Sequence, residues 1–205
     1  MTVTQIEAVA GGKTKYRVFL DGQPAFVLYK GELSRYHIRE GAVLEETVLA
    51  QIEEVIRKRA RLRAMHLLNA MERTESQLRT KLEEGGYPKE AVQDALDYVK
   101  SFGYVNDEDY ARRFAENRKK SKSRREIQSL LLQKGLSREE VESALEEVYG
   151  QEDALDAIRR LAKKRHYDPV TATSKEKQKL CAYLTRKGFR YEDIRQVIQV
   201  PDWNA

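Results

Sequence analysis

The side chains of this sequence best equipped for chemistry are cations gathered in dense runs. Residues 57–63 (RKRARLR) hold five basic and no acidic side chains, residues 112–125 hold eight and one, and residues 159–179 hold eight and two. Residues 138–156 invert the balance, with eight acidic side chains and one basic. Long basic side chains at this density can make charge-assisted hydrogen bonds to phosphates or to a carboxylate patch on a partner. Alternating basic and acidic zones suit a polyanion, or a protein with its own striped potential. A solvated helical surface has the same composition, so the runs leave both readings open.

The contact candidates are specific. Arg112, Arg113, Arg118, Lys119 and Lys120 share one helical stretch, and Lys122, Arg124 and Arg125 carry the cluster into the next helix start. Arg159, Arg160, Lys163, Lys164 and Arg165 precede the loop 166–173, and Lys175, Lys177 and Lys179 follow it. Arg57, Lys58, Arg59, Arg61 and Arg63 encircle a long helix and read as its solvated face.

Other chemistries find no support. His37, His66 and His166 lie far apart and lack ligand spacing, and Cys181 is the lone cysteine, so no zinc site is expected. No glycine-rich phosphate loop, nucleophile elbow or paired-histidine motif occurs. The carboxylates follow helix-surface spacing. These observations point away from an enzyme and away from any cofactor. Cys181 sits beside Leu180 and Leu184 and reads as a small core or boundary residue. A single cysteine excludes an internal disulfide framework, no run approaches 18 apolar residues, and MTVTQIEAVAGGK has no leader pattern. The expectation is a protein of a reducing cytoplasm, with no membrane partner and a monomeric state. The net charge of +5, from 38 basic and 33 acidic residues among 205, is mild, so distribution informs more than the total.

The elements that position these cations are mostly helical. The first 44 residues differ: TVTQIEAVA and YRVFLDG alternate apolar and polar residues around the turn AGGK, and Asp21-Gly22 leads into a third strand, QPAFVLYK. Three strands suffice for a small sheet with one covered face. LSRYHIREGAVL reads as an irregular connector. After Leu44 the apolar spacing becomes three or four. In the long helix of residues 45–71 it runs through Val48, Ile52, Val55, Ile56, Leu62, Met65, Leu68 and Met71.

An internal repeat organises the rest. Leu78, Leu82, Gly86, Tyr87, Val92 and Leu96 are matched by Ile127, Leu131, Gly135, Leu136, Val141 and Leu145. They are matched again by Leu180, Leu184, Gly188, Phe189, Ile194 and Ile198, at offsets of 49 and 53 residues. Each copy reads as a helix, a glycine stop and a second helix. The glycine takes the positive φ beyond a helix end, and the next apolar residue folds back on the preceding turn. Capping-box pairs open the first helices at Thr74…Gln77, Ser123…Glu126 and Thr173…Glu176; Pro88 and Ser137…Glu140 open two of the second helices. A further helix precedes each pair: the long helix, then 107–120 with Asn106 as its cap, then 152–165, stopped by Asp168-Pro169. The expected fold is mainly α, with three tandem three-helix repeats in an elongated curved array and a small N-terminal sheet. The expected divisions are 1–44, 45–101, 102–150 and 151–205. One triplet has too few apolar side chains to stand alone, so neighbours stack.

The segment GYVNDEDYARRFA (103–115) resembles the Gly-Tyr-Leu-Asp/Asn-Asp…Phe-Ala signature of the RecX family of bacterial regulators. RTESQLRTKLEEGGYPKEAVQDAL and REIQSLLLQKGLSREEVESAL are similar to that family's first and second repeats. The likeness extends over roughly residues 60–200, with Val105 where Leu is commoner and Asn106 before Asp107, which still caps a helix. Within the segment Gly103 reads as a helix end, and Tyr104, Tyr110 and Phe114 as packing between repeats.

The resemblance, and not the composition or spacing, implies a modulator of the RecA recombinase. Such a protein binds RecA and the groove of its filament on single-stranded DNA, and restrains ATP hydrolysis, strand exchange and coprotease activity. The residues themselves also allow a sequence-nonspecific DNA-binding helical-repeat protein that acts without RecA. Trp203, after Pro201, is either a loose end or a contact residue.

Overall fold

The computed structural model describes residues 1–9 and 14–198. The AGGK turn and the Pro201–Trp203 tail lie outside the described residues. The chain divides into two compact units, Met1–Val105 and Asn106–Ala205.

In the first unit β1 (Val3–Ala8), β2 (Lys15–Leu20) and β3 (Gln23–Tyr29) form an antiparallel sheet in the order β1-β2-β3. The β2–β3 turn has Asp21 at φ 48 and Gly22 at φ 81, the paired positive angles whose twist matches a hairpin. Alternation sends Val18, Leu20, Phe26 and Leu28 to one buried face.

The chain then departs from the irregular connector read from its sequence. A six-residue helix, α1 (Lys30–Arg35), starts where the Glu32 carboxylate accepts the Tyr29 amide at 2.8 Å. It ends before His37, which takes φ 53. Arg59, from the long helix, hydrogen-bonds Glu32, donates to the Val27 carbonyl at 3.3 Å and stacks on the Tyr29 ring at 4.7 Å.

The long helix, α2 (Glu46–Ala70), packs chiefly on α4 (Lys89–Ser101), with α3 (Glu75–Glu84) between them in sequence. Its buried stripe is Ile52, Ile56, Ala60, Ala64 and Leu67. Two of the large residues expected inside, Leu62 and Met71, are exposed instead. The stripe runs through alanines because a small side chain lets a neighbouring element approach closely, which an apolar-size pattern overlooks. Nor are the α2 cations simply solvated. Arg57 and Lys58 pair with Glu54, and Arg61 makes a bidentate fork to Asp94 of α4, with both hydrogen bonds at 2.6 Å. Sheet and helices share one core, in which Val3, Val18 and Leu28 join Ile52, Leu78 and Leu96.

The second unit holds two triplets: α5 (Asp107–Arg118), α6 (Arg124–Gln133) and α7 (Arg138–Val148), then α8 (Gln151–Lys164), α9 (Ser174–Arg186) and α10 (Tyr191–Ile198). The packing rule of the first triplet recurs, since the outer helices of each pair most extensively: α5 with α7, α8 with α10. Each triplet has its own core, one built on Ile127, Leu131 and Leu145, the other on Ile158, Leu184 and Ile198.

The caps come largely from the residues that announced them. Thr74, Ser137 and Thr173 form reciprocal capping boxes, and Asn106 accepts the Asp109 amide at 3.0 Å. Pro88 stands one place earlier than expected, as the cap itself. Gly86, Gly103, Gly135 and Gly188 all have positive φ, and the amide two places beyond each helix cap returns to a carbonyl of the last turn. The stop of α8 comes from His166, at φ 55, and not from Asp168-Pro169. The Asp168 carboxylate instead orders the following turn through the Val170 amide and the Thr171 hydroxyl, both at 2.9 Å.

Candidate functional site

The structure sorts the predicted cations into two populations. Those of the second triplet are largely engaged inside it. Arg112 meets Asp109 at 3.3 Å and Glu147 of α7 at 3.0 Å. Lys119 donates to the Val148 carbonyl at 3.2 Å and meets Glu116 at 3.0 Å and Asp153 at 3.5 Å. The Glu116 hydrogen bond is the main reason its ammonium is held above the ordinary lysine range. Arg118 lies over the Phe114 ring at 4.4 Å. Lys122 hydrogen-bonds Glu126, and Arg124 donates to the Leu145 carbonyl at 2.9 Å and to Glu142 at 3.1 Å. Arg113 also has an interaction partner. Lys120 and Arg125 are exposed and have no such partner among the described residues.

The third triplet presents its cations outward. Arg159 is tied to Glu152 and Asp156 on its own helix, at 2.7 and 2.8 Å, and Arg165 covers the Tyr183 ring at 3.7 Å. Arg160, Lys163, Lys164, Lys175 and Lys179 are exposed and Lys177 partly so, none with an ion-pair partner among the described residues. The acids interspersed with them do not compensate. Asp168 is held by its own turn, and Glu176 by the Thr173 cap, whose backbone and hydroxyl hydrogen bonds keep its carboxyl below the usual range. Charge patterning alone could not separate the two populations, because half of the acids that neutralise this cluster, Glu142, Glu147 and Asp153, come from α7 and the start of α8.

The aromatic residues of the 103–115 segment also part company. Tyr110 and Phe114 are half-buried against the second core, stacked at 6.1 Å with Lys134 over both rings. Tyr104 does not pack as expected: it is 54% exposed and stacks at 5.7 Å on Phe102, itself 58% exposed. Positive φ at Gly103 turns the chain so that only Val105, two residues on, is buried.

A second feature of the second unit is a groove of about 950 Å³ where its two triplets meet. Ser123 and α6 residues Arg124, Arg125 and Gln128, Glu142 of α7 with Tyr149 at its end, and Gly188, Phe189, Arg190, Glu192 and Asp193 before and within α10 line it. Ser123 is the centre of the junction. Its hydroxyl donates to the Lys187 carbonyl at 2.6 Å and accepts the Glu126 amide at 3.1 Å. Glu126 therefore does not close the expected capping box; its carboxylate takes Lys122 and Lys187 instead. The Tyr149 hydroxyl donates to the Lys122 carbonyl at 3.0 Å, and burial pushes its phenol well above the ordinary range. Asp193 faces this groove at 8% exposure. Burial raises its carboxyl, Arg190 opposes the rise and Glu192 adds to it. The sequence carried a signal for Asp193. In the second repeat the acid at this position, Glu140, has Ser137 three residues before it; the third has Arg190, which offers no hydroxyl for a capping box.

Among the described residues no group of three or more His, Cys, Asp or Glu side chains is arranged to hold a metal ion, and no helix is long and apolar enough to cross a membrane.

Comparison with known proteins follows the three triplets. Models described as the first, second and third three-helix domains of RecX match residues 60–98, 106–145 and 151–198. A protein named regulatory protein RecX from Caldanaerobacter subterraneus subsp. tengcongensis is 34% identical, over 91% of this chain and 93% of its own. One of the same name from Clostridium botulinum strain Alaska E43 is 29% identical over 96% and 94%. A crystal structure of regulatory protein RecX superposes with a TM-score of 0.64 at 27% identity, over 97% of this chain and 98% of that one. RecX from Lactobacillus salivarius shares the fold, with a TM-score of 0.61 at 21% identity over 71% of this chain and 96% of its own. With all three domain models matched in order, and a full-length relative above 30% identity, this chain belongs to the RecX family.

Proposed function

We propose that this protein binds RecA and the RecA–single-stranded DNA filament and modulates it, mostly by restraining ATP hydrolysis, strand exchange and coprotease activity, in the cytoplasm and without chemistry of its own. The observation that carries the reading is the succession of three matched RecX domains along the chain, the first sharing its core with the sheet and the other two each with a core of its own. Its relatives are named regulatory proteins, in keeping with action by binding. Tandem helical domains offer length and surface, which is what contact with successive protomers of a polymer requires.

The decisive experiment titrates the protein against RecA on single-stranded DNA and follows ATP turnover and filament length. The expected result is a fall in turnover at or below equimolar protein. Unchanged turnover and strand exchange at saturation would refute the proposal.

A second reading has one observation in its favour: the uncompensated cations of α8 and α9. It makes the protein a nonspecific DNA binder that needs no RecA. That reading expects tight binding to DNA alone, collapsing steeply with salt.

A further inference from the structure

Asp193 combines three properties that suit a docking contact. It is 8% exposed, it receives no hydrogen bond among the described residues, and it faces a groove large enough to admit side chains. Its carboxylate is not one of the fully buried side-chain groups left without a partner, so its oxygens open onto the groove and are available to a donor from outside. The corresponding acid of the second triplet, Glu140, accepts the Ser137 amide at 2.7 Å. The nearby cations leave Asp193 unmet. Arg124 is committed to Glu142 and the Leu145 carbonyl, while Arg125 and Arg190 are exposed at the rim. Tyr149 and Phe189 supply apolar surface beside the carboxylate, and both are nine-tenths buried or more.

We infer that this groove is a docking site for a polypeptide segment with neighbouring basic and acidic side chains. The partner's guanidinium or ammonium donates to Asp193, and its carboxylate meets Arg125 and Arg190. Charge composition selects this occupant. A nucleic-acid backbone would set phosphates against Glu142, Glu192 and Asp193, whereas a purely basic peptide would meet Arg125 and Arg190. The inference deepens the RecA reading and rests on it: the segment belongs to the surface of a RecA protomer.

Asp193→Asn keeps the shape and removes the charge. Its expected effect is a loss of affinity for the RecA–single-stranded DNA filament of about tenfold or more, with a thermal midpoint equal to or above that of the parent. Arg190→Glu, at an exposed position, is expected to weaken binding as well, and it serves if the first variant folds poorly. If the parent binds RecA and both variants bind as tightly, the groove is not the contact and the RecA reading stands. If the parent does not bind RecA, that reading fails, and the groove is judged by titrating acetyl-Arg-Glu-amide while recording backbone NMR shifts. Saturable shifts at Asp193, Tyr149 and Phe189 that vanish in Asp193→Asn support it; their absence in the parent overturns it.

Discussion

The Ser123 hydroxyl and the Lys187 carbonyl, 64 residues apart, are joined by a 2.6 Å hydrogen bond, and the same oxygen caps α6 through the Glu126 amide. One side chain, 1% exposed, thus starts the middle helix of the second triplet and satisfies an end carbonyl of the middle helix of the third. Losing a cap costs about 1 kcal/mol, and a buried carbonyl left without its donor adds about 1–3 kcal/mol. Ser123→Ala is therefore predicted to destabilise the second unit by about 2–4 kcal/mol, against about 1 kcal/mol for Ser137→Ala, a cap alone. Urea unfolding of the two variants checks this, and equal losses would reduce Ser123 to an ordinary cap.

Gly188 provides a second test of the same junction. It has φ 86, and a β-carbon placed there would lie 3.0 Å from Ser123 Oγ and 3.1 Å from Arg125 Cβ. Gly103 has φ 71 with nothing within 4 Å. Gly103→Ala is predicted to cost about 1–2 kcal/mol, the left-handed penalty alone. Gly188→Ala should exceed it by roughly 1 kcal/mol for crowding at a packed contact. Chemical denaturation of both variants measures the difference. If they match, the approach of α6 to the glycine carries no energetic weight.

These two residues show what was legible in the sequence. Gly188 and the Ser123 cap were readable because local conformation demands them: a helix must be started and stopped by side chains of a few types. That Ser123 reaches Lys187 was not readable, since a hydroxyl has one proton and nothing local says where it goes. The same limit explains the cations. The eight basic side chains of residues 112–125 looked equivalent to those of 159–179, yet α7 and the start of α8 bring Glu147, Glu142 and Asp153 to Arg112, Arg124 and Lys119. The α2 alanines were passed over for a related reason, because side-chain size says little about which face a neighbour covers. Tyr104 was misplaced by assigning aromatics to the interior without regard to the direction its glycine imposes.

Arg61 and Asp94 make the first unit sensitive to acid. The bidentate hydrogen bonds from Arg61 are the largest influence holding the Asp94 carboxyl below the usual carboxylate range, against a smaller desolvation penalty. Lys100 acts likewise on Glu75. A carboxyl whose folded pKa lies below its unfolded value contributes stability that is complete above the unfolded value, about 4. That contribution is lost as pH falls through the folded value. Both partners are partly exposed, so solvent screening limits the Asp94 pair to under about 1 kcal/mol. The expected result is that Asp94→Asn is less stable than the parent at pH 7 and converges on it as pH falls below the unfolded carboxylate value and through the lowered folded one. A constant difference across that range, measured by thermal unfolding, would show that shape and not charge makes the contact.

The exposed cations of the third triplet lead to the last prediction. Lys163 and Lys164 have no ion-pair partner to lose among the described residues, so Lys163→Glu with Lys164→Glu should cost only the reversed charge–dipole interaction in the last turn of α8, about 1–2 kcal/mol. Arg112→Glu with Arg113→Glu instead removes the contacts of Arg112 with Asp109 and Glu147 and puts like charges together, so the second triplet is expected to lose stability measurably. If DNA phosphates touch the α8 face, each lost contact lowers the slope of log affinity against log salt by about 0.7 for single strands. The Lys163/Lys164 pair should then flatten the salt dependence of single-stranded DNA binding, while the Asp193 groove keeps its affinity for a protein partner. Fluorescence anisotropy over a salt series, with RecA present and absent, separates the two surfaces. A reversal that leaves the DNA slope intact and weakens RecA binding would assign the α8 cations to the protein partner, because a filament carries both kinds of surface and only the salt slope tells them apart.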